Sequence, residues 1–285
     1  MLSKNILKRL LTVSRPRFWL YELGTFYIGV LLAVQNPEAF LLPAVVIFGL
    51  YFLFPANLLI YGINDVFDYE TDMKNPKKTG YESVLPLALH PVILRWAAIT
   101  TAPFLLYVLT LSFATAVAFF LFLTFAIFYS APPIRAKARP ILDSFFSAGH
   151  YITTGVFGYF LAGGAGNIWW AVVAGMLWAM AMHAYSAVPD IQADTEAGLA
   201  TVATLLTKKP TIWLCLLFYT AAAYIATLHL GAMIIVGYIP YLLIMILSLY
   251  STEKRLFFLY TFFPYINALV GMGIFFSVLF LKGWL

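Results

Sequence analysis

Residues 57–78 read NLLIYGINDVFDYETDMKNPKK, the tail of a long apolar run passing into a cluster of charges. On a helix advancing about 100° per residue, Asn57, Tyr61, Asn64, Asp65, Asp68 and Asp72 share one face, while Glu70 points away. Asn64, Asp68 and Asp72 recur at every fourth position, so their side chains stack one above another. Carboxylates gathered in this way repel each other, and an ionised group near the centre of a bilayer costs about 2.5–3.5 kcal/mol. Something positive must sit among them. Ligands made only of oxygen suit Mg²⁺, which keeps several waters and takes one or two carboxylates together with substrate phosphate oxygens. The chemistry expected is the handling of a phosphorylated substrate at a membrane surface.

A second group repeats the pattern. In HAYSAVPDIQADTEAGLAT, Asp190 and Asp194 have the same spacing, and His183 lies on their face about two turns deeper, a candidate pocket residue or proton acceptor. Pro189 should kink or end the helix just before the acids. One such pair alone is common on solvated helix ends; two, both emerging from apolar runs, require a shared purpose. Between them runs FYSAPPIRAKARP, residues 128–140, where Pro132 and Pro133 stop the preceding helix and Arg135, Lys137 and Arg139 follow beside Tyr129 and Ser130. With Lys74, Lys77 and Lys78, this puts cations on two loops near the acids, as a departing diphosphate requires. Topology signalling alone would also account for each basic residue taken singly.

The elements that must hold these groups are membrane spans. The chain is 63% hydrophobic and only 10% charged, against about 25% charged for a soluble domain. Its mean hydropathy is +0.90. The apolar runs are continuous rather than alternating, which argues for helices and against a β-barrel. Nine spans are expected, roughly at 18–34, 40–63, 91–110, 112–129, 141–163, 168–188, 211–228, 231–250 and 256–281, forming one all-α bundle and a single domain over 1–285. Of 17 Lys and Arg, all but Lys282 fall at the N-terminus or on the even-numbered loops and their edges, which sets the N-terminus in the cytoplasm. The net charge of +5 is thereby assigned to topology and not to nucleic acid. Four spans separate the two acidic groups, so both face the cytoplasm. Ser14 is expected to cap the first span with Pro16 just inside it, and Arg15 and Arg17 to anchor it at the interface. Glu22 falls about one turn into that span, shallow enough to be wetted or paired. The single cysteine, Cys215, excludes an intrachain disulfide, and the first apolar run lacks a cleavage site and reads as a retained span.

At Asn64-x-x-x-Asp68-x-x-x-Asp72, the YSAPPIRAK loop at 129–137, and Asp190-x-x-x-Asp194 followed by Gly198 and Thr201, the sequence resembles the UbiA superfamily of intramembrane prenyltransferases. The motifs recur in that family's order and cover essentially the whole chain. The resemblance implies Mg²⁺-dependent transfer of an isoprenoid from its diphosphate to a lipophilic acceptor, with both acidic motifs holding metal and diphosphate. One departure stands out: Lys74-Asn75-Pro76-Lys77-Lys78 replaces the arginines that many members with aromatic acceptors carry after the first motif. NDVFDYETD, NPKK and AMHAYSAVPD look most like the lycopene elongase branch, which implies dimethylallyl diphosphate as donor and a carotenoid end as acceptor.

On this reading Asn64, Asp68, Asp72, Asp190 and Asp194 are the catalytic and metal-holding residues. Lys77, Lys78, Tyr129, Arg135 and Lys137 bind the diphosphate, Tyr61 offers its ring to an allylic cation, and Asn57 and His183 line the pocket. No lysine or arginine is expected at the depth of Asn57 and His183, which disfavours an aromatic acid as acceptor; runs such as LYFLF and GMLWAMAM could bury a polyene. An aromatic, quinone-precursor or glycerolipid acceptor is the alternative within the family. Outside the enzyme class stand a secondary transporter, whose charges should lie near the midplane, and a metal-ion transporter, which would not need the basic loops.

Overall fold

Apolar runs interrupted by proline and short polar turns fold here into helices alone, with no strand among the described residues of a computed structural model covering 2–73 and 84–284. The helices are α1 (Leu2–Val13), α2 (Trp19–Ala33), α3 (Pro43–Leu53), α4 (Pro55–Phe67), α5 (Tyr69–Asp72), α6 (His90–Val108) and α7 (Phe113–Phe128). They continue as α8 (Leu142–Leu161), α9 (Trp169–Ala187), α10 (Ile191–Glu196), α11 (Val202–Leu206), α12 (Lys208–Leu230), α13 (Met233–Leu249) and α14 (Glu253–Leu281). Five stretches are long and apolar enough to cross a membrane: Pro43–Phe67, Leu87–Val108, Trp169–Glu196, Lys208–Leu230 and Glu253–Leu281. Phe113–Phe128 and Met233–Leu249 are shorter apolar helices. Their outer faces carry large side chains that a water-soluble protein would bury, such as Phe113 at 85% exposed and Trp169 at 71%. This is a multi-pass membrane protein.

The chain forms two compact units, one of Met1–Arg135 with Thr153–Gly164, the other of Ala136–Ile152 with Ala165–Leu285. Unit one is built on a closed aromatic core. Phe26, Phe48, Tyr51, Phe52, Phe119, Phe122 and Phe157 are all fully buried, with ring centroids as close as 4.7 Å between Phe48 and Phe157 and 5.1 Å between Phe26 and Phe52. Tyr51 and Phe52 are thus committed to packing, so LYFLF does not offer them to an acceptor. Small residues let α2 meet the second half of α8: a methyl group on Gly29 would lie 1.8 Å from the carbonyl oxygen of Gly155.

The run expected as one span at 40–63 is broken at Phe54 (φ −124°, ψ −59°) because Pro55 has no N–H to continue the ladder. Asn57 repairs the break. Its Nδ2 donates to the carbonyls of Phe52 (2.9 Å) and Leu53 (3.1 Å), the local compensation that apolar surroundings demand.

The N-terminal segment also departs from expectation. Residues 2–13 form α1, whose Leu10 and Val13 are buried and which packs on α4. Ser14 finishes that helix, donating to Leu11 O at 2.9 Å, and does not cap the next one. Arg15, in the left-handed region at φ 50°, turns the chain through Pro16–Phe18, and α2 starts only at Trp19. Glu22 is 1% exposed, deeper in the packing than its sequence position implied.

Unit two is tied together by polar contacts within an apolar bundle. α9 packs on α12, and α12 on α13. Trp178 donates to the Tyr241 hydroxyl at 2.9 Å, which donates to Asn267 at 2.8 Å, while Tyr185 and Ser248 share a bond of 2.8 Å. Cys215 is buried as a free thiol donating to Ala181 O.

Candidate active site

In unit one the first acidic motif sits where α4 gives way to α5. The helix does not run straight through it: Asp68 (φ −102°, ψ 4°) is the hinge residue between the two. The fourfold spacing nevertheless survives, because Asp68 N donates to Asn64 O (2.9 Å) and Asp72 N to Asp68 O (2.8 Å). Asp68 is 1% exposed and Asp72 8%, whereas Glu70 is exposed. Asn64 Nδ2 donates to Asp68 Oδ2 at 2.5 Å and to Ser130 Oγ at 3.0 Å, and Ser130 Oγ lies 3.5 Å from the same carboxylate oxygen. With Nδ2 so engaged, Asn64 presents its carbonyl oxygen as the atom for a cation. Ser130 comes from the YSAPP turn, where α7 ends at Phe128 and Tyr129 forms its half-buried C-cap, so the proline-stopped helix delivers a hydroxyl to the first acid.

Asp65 does something other than its face suggested. It is paired with Arg15 at 2.6 Å, and the guanidinium carbon of Arg15 lies 4.6 Å from the centre of the Tyr61 ring. One face of Tyr61 therefore already holds a cation, and Phe18 packs beside it at 5.8 Å. Arg15 is thus a tertiary contact of α4 and not only an anchor. A cleft in unit one brings Lys8, Arg9, Arg15 and Arg17 round Asp65. Arg135 is exposed with φ 45°. Lys74, Lys77 and Lys78 lie outside the described residues.

In unit two, α9 ends at Ala187, and a tight turn over Val188–Asp190 leads into α10, as Pro189 demands. Asp190 stands at the N-cap position of α10 without a capping bond from its side chain, and Asp194 lies within the helix, both half-buried. Gly198 closes that helix at φ 71°, which lets Leu199 N return to Asp194 O at 2.8 Å. Thr201 and Thr204 then form a capping box that starts α11. Lys137 is half-buried in the turn Ala136–Ala138.

His183 has a neighbour that the motifs did not announce. Its Nε2 lies 3.9 Å from Oδ2 of Asp143, a residue of α8 that is fully buried and accepts from Val202 N at 2.9 Å. The signal was present in the sequence: an aspartate within a predicted span, followed by Ser147 and His150 on the same helical face.

Among the described residues, no three His, Cys, Asp or Glu side chains surround one point. The donors of the first motif, two carboxylates and an amide oxygen, fit Mg²⁺, which needs only one or two carboxylates and completes its shell with water and phosphate oxygens.

This fold and these motifs define a prenyltransferase. Residues 23–260 match the model of the UbiA prenyltransferase family, and the chain belongs to that family. It is 37% identical over 276 residues to the lycopene elongase/hydratase of Haloarcula japonica, covering 95% of this chain and 90% of that protein. To the lycopene elongase/hydratase of Haloferax volcanii it is 38% identical over 280 residues, covering 92% and 86%. A UbiA homolog from Archaeoglobus fulgidus, solved bound to DMAPP and Mg²⁺, has a TM-score of 0.65 at 18% identity, covering 94% of this chain and 98% of that one, a likeness of fold.

Proposed function

We propose that this prenyltransferase transfers an isoprenoid from an allylic diphosphate, dimethylallyl diphosphate, to a lipophilic acceptor, the end of lycopene. The observation that carries the reading is the pair of buried, stacked carboxylates of Asp68 and Asp72, with Asn64 and Ser130 fixed on the first. Such groups at the end of an apolar helix call for a cation and a polyanionic substrate. The acceptor rests on the identity to the two haloarchaeal proteins over most of their length.

The mechanism assigns Mg²⁺ to Asn64, Asp68 and Asp72 of the first motif and to Asp190 and Asp194 of the second, two carboxylates from each; when bound, it would supply neutralisation of the leaving diphosphate. Ser130 and Asn64 hold the Asp68 carboxylate in one orientation. Arg135 and Lys137, with Lys77 and Lys78, donate charge-assisted hydrogen bonds to the diphosphate oxygens, and Tyr129 borders that loop. The allylic C–O bond breaks, and its electron pair leaves with the diphosphate. The terminal alkene of the acceptor attacks C1 of the allylic cation, forming a C–C bond and leaving a tertiary cation. Apolar walls such as GMLWAMAM on α9 keep bulk water away. Tyr61 would offer its ring to the allylic cation. His183 takes the proton released when the tertiary cation closes to an alkene or is captured by water.

Residues 1–285 are read as one domain, since the family match crosses both units. Nine spans, a cytoplasmic N-terminus and a site opening to the cytoplasmic face of the cell membrane follow from the distribution of basic residues. The test is an assay of membranes containing the protein with radiolabelled dimethylallyl diphosphate and lycopene. Label should enter the carotenoid fraction with Mg²⁺ and stop entering it with EDTA. Label entering a phenol or glycerolipid instead would move the acceptor to another branch.

A further inference from the structure

We infer that Asp143 is a positioning residue for His183, and that the pair forms the proton-accepting station that decides the fate of the tertiary cation. The inference rests on the prenyl-transfer reading above and adds residues that lie outside the motifs. The polar line along the start of α8 consists of Asp143, Ser147 and His150, which are 0%, 6% and 3% exposed. Ionisable groups inside a membrane protein are retained for function far more often than for packing.

Asp143 has a split environment. Oδ2 is fixed by Val202 N at 2.9 Å and lies 3.9 Å from His183 Nε2, while Oδ1 is buried without a hydrogen-bond partner. A cap for α11 would require only one oxygen. A carboxylate left half-satisfied in an apolar bundle has a stabilising partner only when charge appears beside it. His183 supplies that charge on protonation. The acid on its Nε2 side favours the tautomer with the proton on Nε2, so Nδ1 is the acceptor. Among the groups acting on His183, which include His150 and Lys137, Asp143 supplies negative charge.

The step balances without any further reagent. A C–H bond next to the tertiary cation breaks, its electrons form the new alkene, and the proton moves to Nδ1. In the hydrating branch, a water oxygen bonds to the cation and the same nitrogen takes the water's proton. The imidazolium then returns its proton to water or to the released diphosphate.

The experiment uses full-length protein in membranes with lycopene and dimethylallyl diphosphate, reading elongated carotenoid, isoprenoid alcohol and diphosphate together. Asp143→Asn keeps an oxygen for Val202 N and removes only the charge. Elongated carotenoid per diphosphate released should fall about 100-fold, the low end of what a general base contributes, because the unquenched tertiary cation breaks its new C–C bond again, restoring lycopene and the allylic cation, which water captures as isoprenoid alcohol. Asp143→Glu should recover part of the loss, and His183→Gln should match Asp143→Asn without adding to it in the double variant. An unchanged product yield per diphosphate overturns the inference, as does a parallel loss of carotenoid and diphosphate release in Asp143→Asn. A wild-type protein that leaves lycopene unmodified overturns the acceptor reading and this assignment with it. A wild type that elongates lycopene while Asp143→Asn partitions as before overturns this assignment alone.

Discussion

Removing one member of the Arg15–Asp65 pair tests how the N-terminal segment is bound to the helix carrying the first motif. The contact is short, 2.6 Å, and poorly hydrated, with side chains 15% and 6% exposed. Stripping a buried ion of its partner costs about 3–5 kcal/mol. For Arg15→Ala, which removes the cation paired at 2.6 Å with the more buried Asp65, the lower end of about 3 kcal/mol is expected, since the pair is not sealed from water and Lys8, Arg9 and Arg17 line the same cleft. Asp65→Ala should cost less, about 2 kcal/mol, because Arg15 keeps the Tyr61 ring at 4.6 Å, a contact that contributes about 0.5–2 kcal/mol. About 2 kcal/mol changes the ratio of folded to unfolded protein roughly 30-fold. The double variant should come within about 1 kcal/mol of wild type, because neither charge is left behind by the other. Unfolding midpoints of the four proteins in one detergent give the order: wild type, then double variant, then Asp65→Ala, then Arg15→Ala. Two single losses that simply add in the double variant would refute the coupling. Donor KM should stay within about threefold in Asp65→Ala, since this carboxylate is spent on Arg15 and not on metal.

Asp68→Ala and Asp190→Ala should each abolish turnover while the protein stays in the membrane; near-normal activity in either would remove that motif from the diphosphate site. Arg135→Ala and Lys137→Ala should raise the KM for the diphosphate donor about tenfold or more and leave acceptor dependence unchanged, an effect that steady-state titration of each substrate separates. Gly29→Ala should destabilise unit one by at least about 1–3 kcal/mol, because its methyl group would meet the Gly155 carbonyl, and a wild-type unfolding midpoint would show that the contact is not tight.

The helices were legible because continuous apolar runs and proline stops are local properties. The predicted span at 91–110 coincides closely with α6, and Pro189 ends α9 where expected. The acidic motif was legible for the same reason, since fourfold spacing fixes a shared face whatever surrounds it. What stayed hidden was pairing at a distance. Asp65 lies on the motif face by angle, yet its partner is 50 residues away, and nothing local in Arg15 announces the contact. The face of Asn57 points to a pocket, whereas its amide donates to the Phe52 and Leu53 carbonyls at the break before Pro55. α1 is hidden because a basic N-terminus reads first as a topology signal, although Leu10 and Val13 have helical spacing. Asp143 is concealed by the apolar average of the run it lies in, although an aspartate within a span is by itself a functional signal.

Expression of the chain in a bacterium that accumulates lycopene, followed by mass analysis of the extracted pigments, bears most directly on the central claim. Carotenoids heavier than lycopene by one or two five-carbon units should appear with the wild-type chain and be absent with Asp68→Ala. Unmodified lycopene, with 4-hydroxybenzoate or a similar phenol prenylated by the same membranes, would contradict the carotenoid assignment and leave a prenyltransferase with an aromatic acceptor.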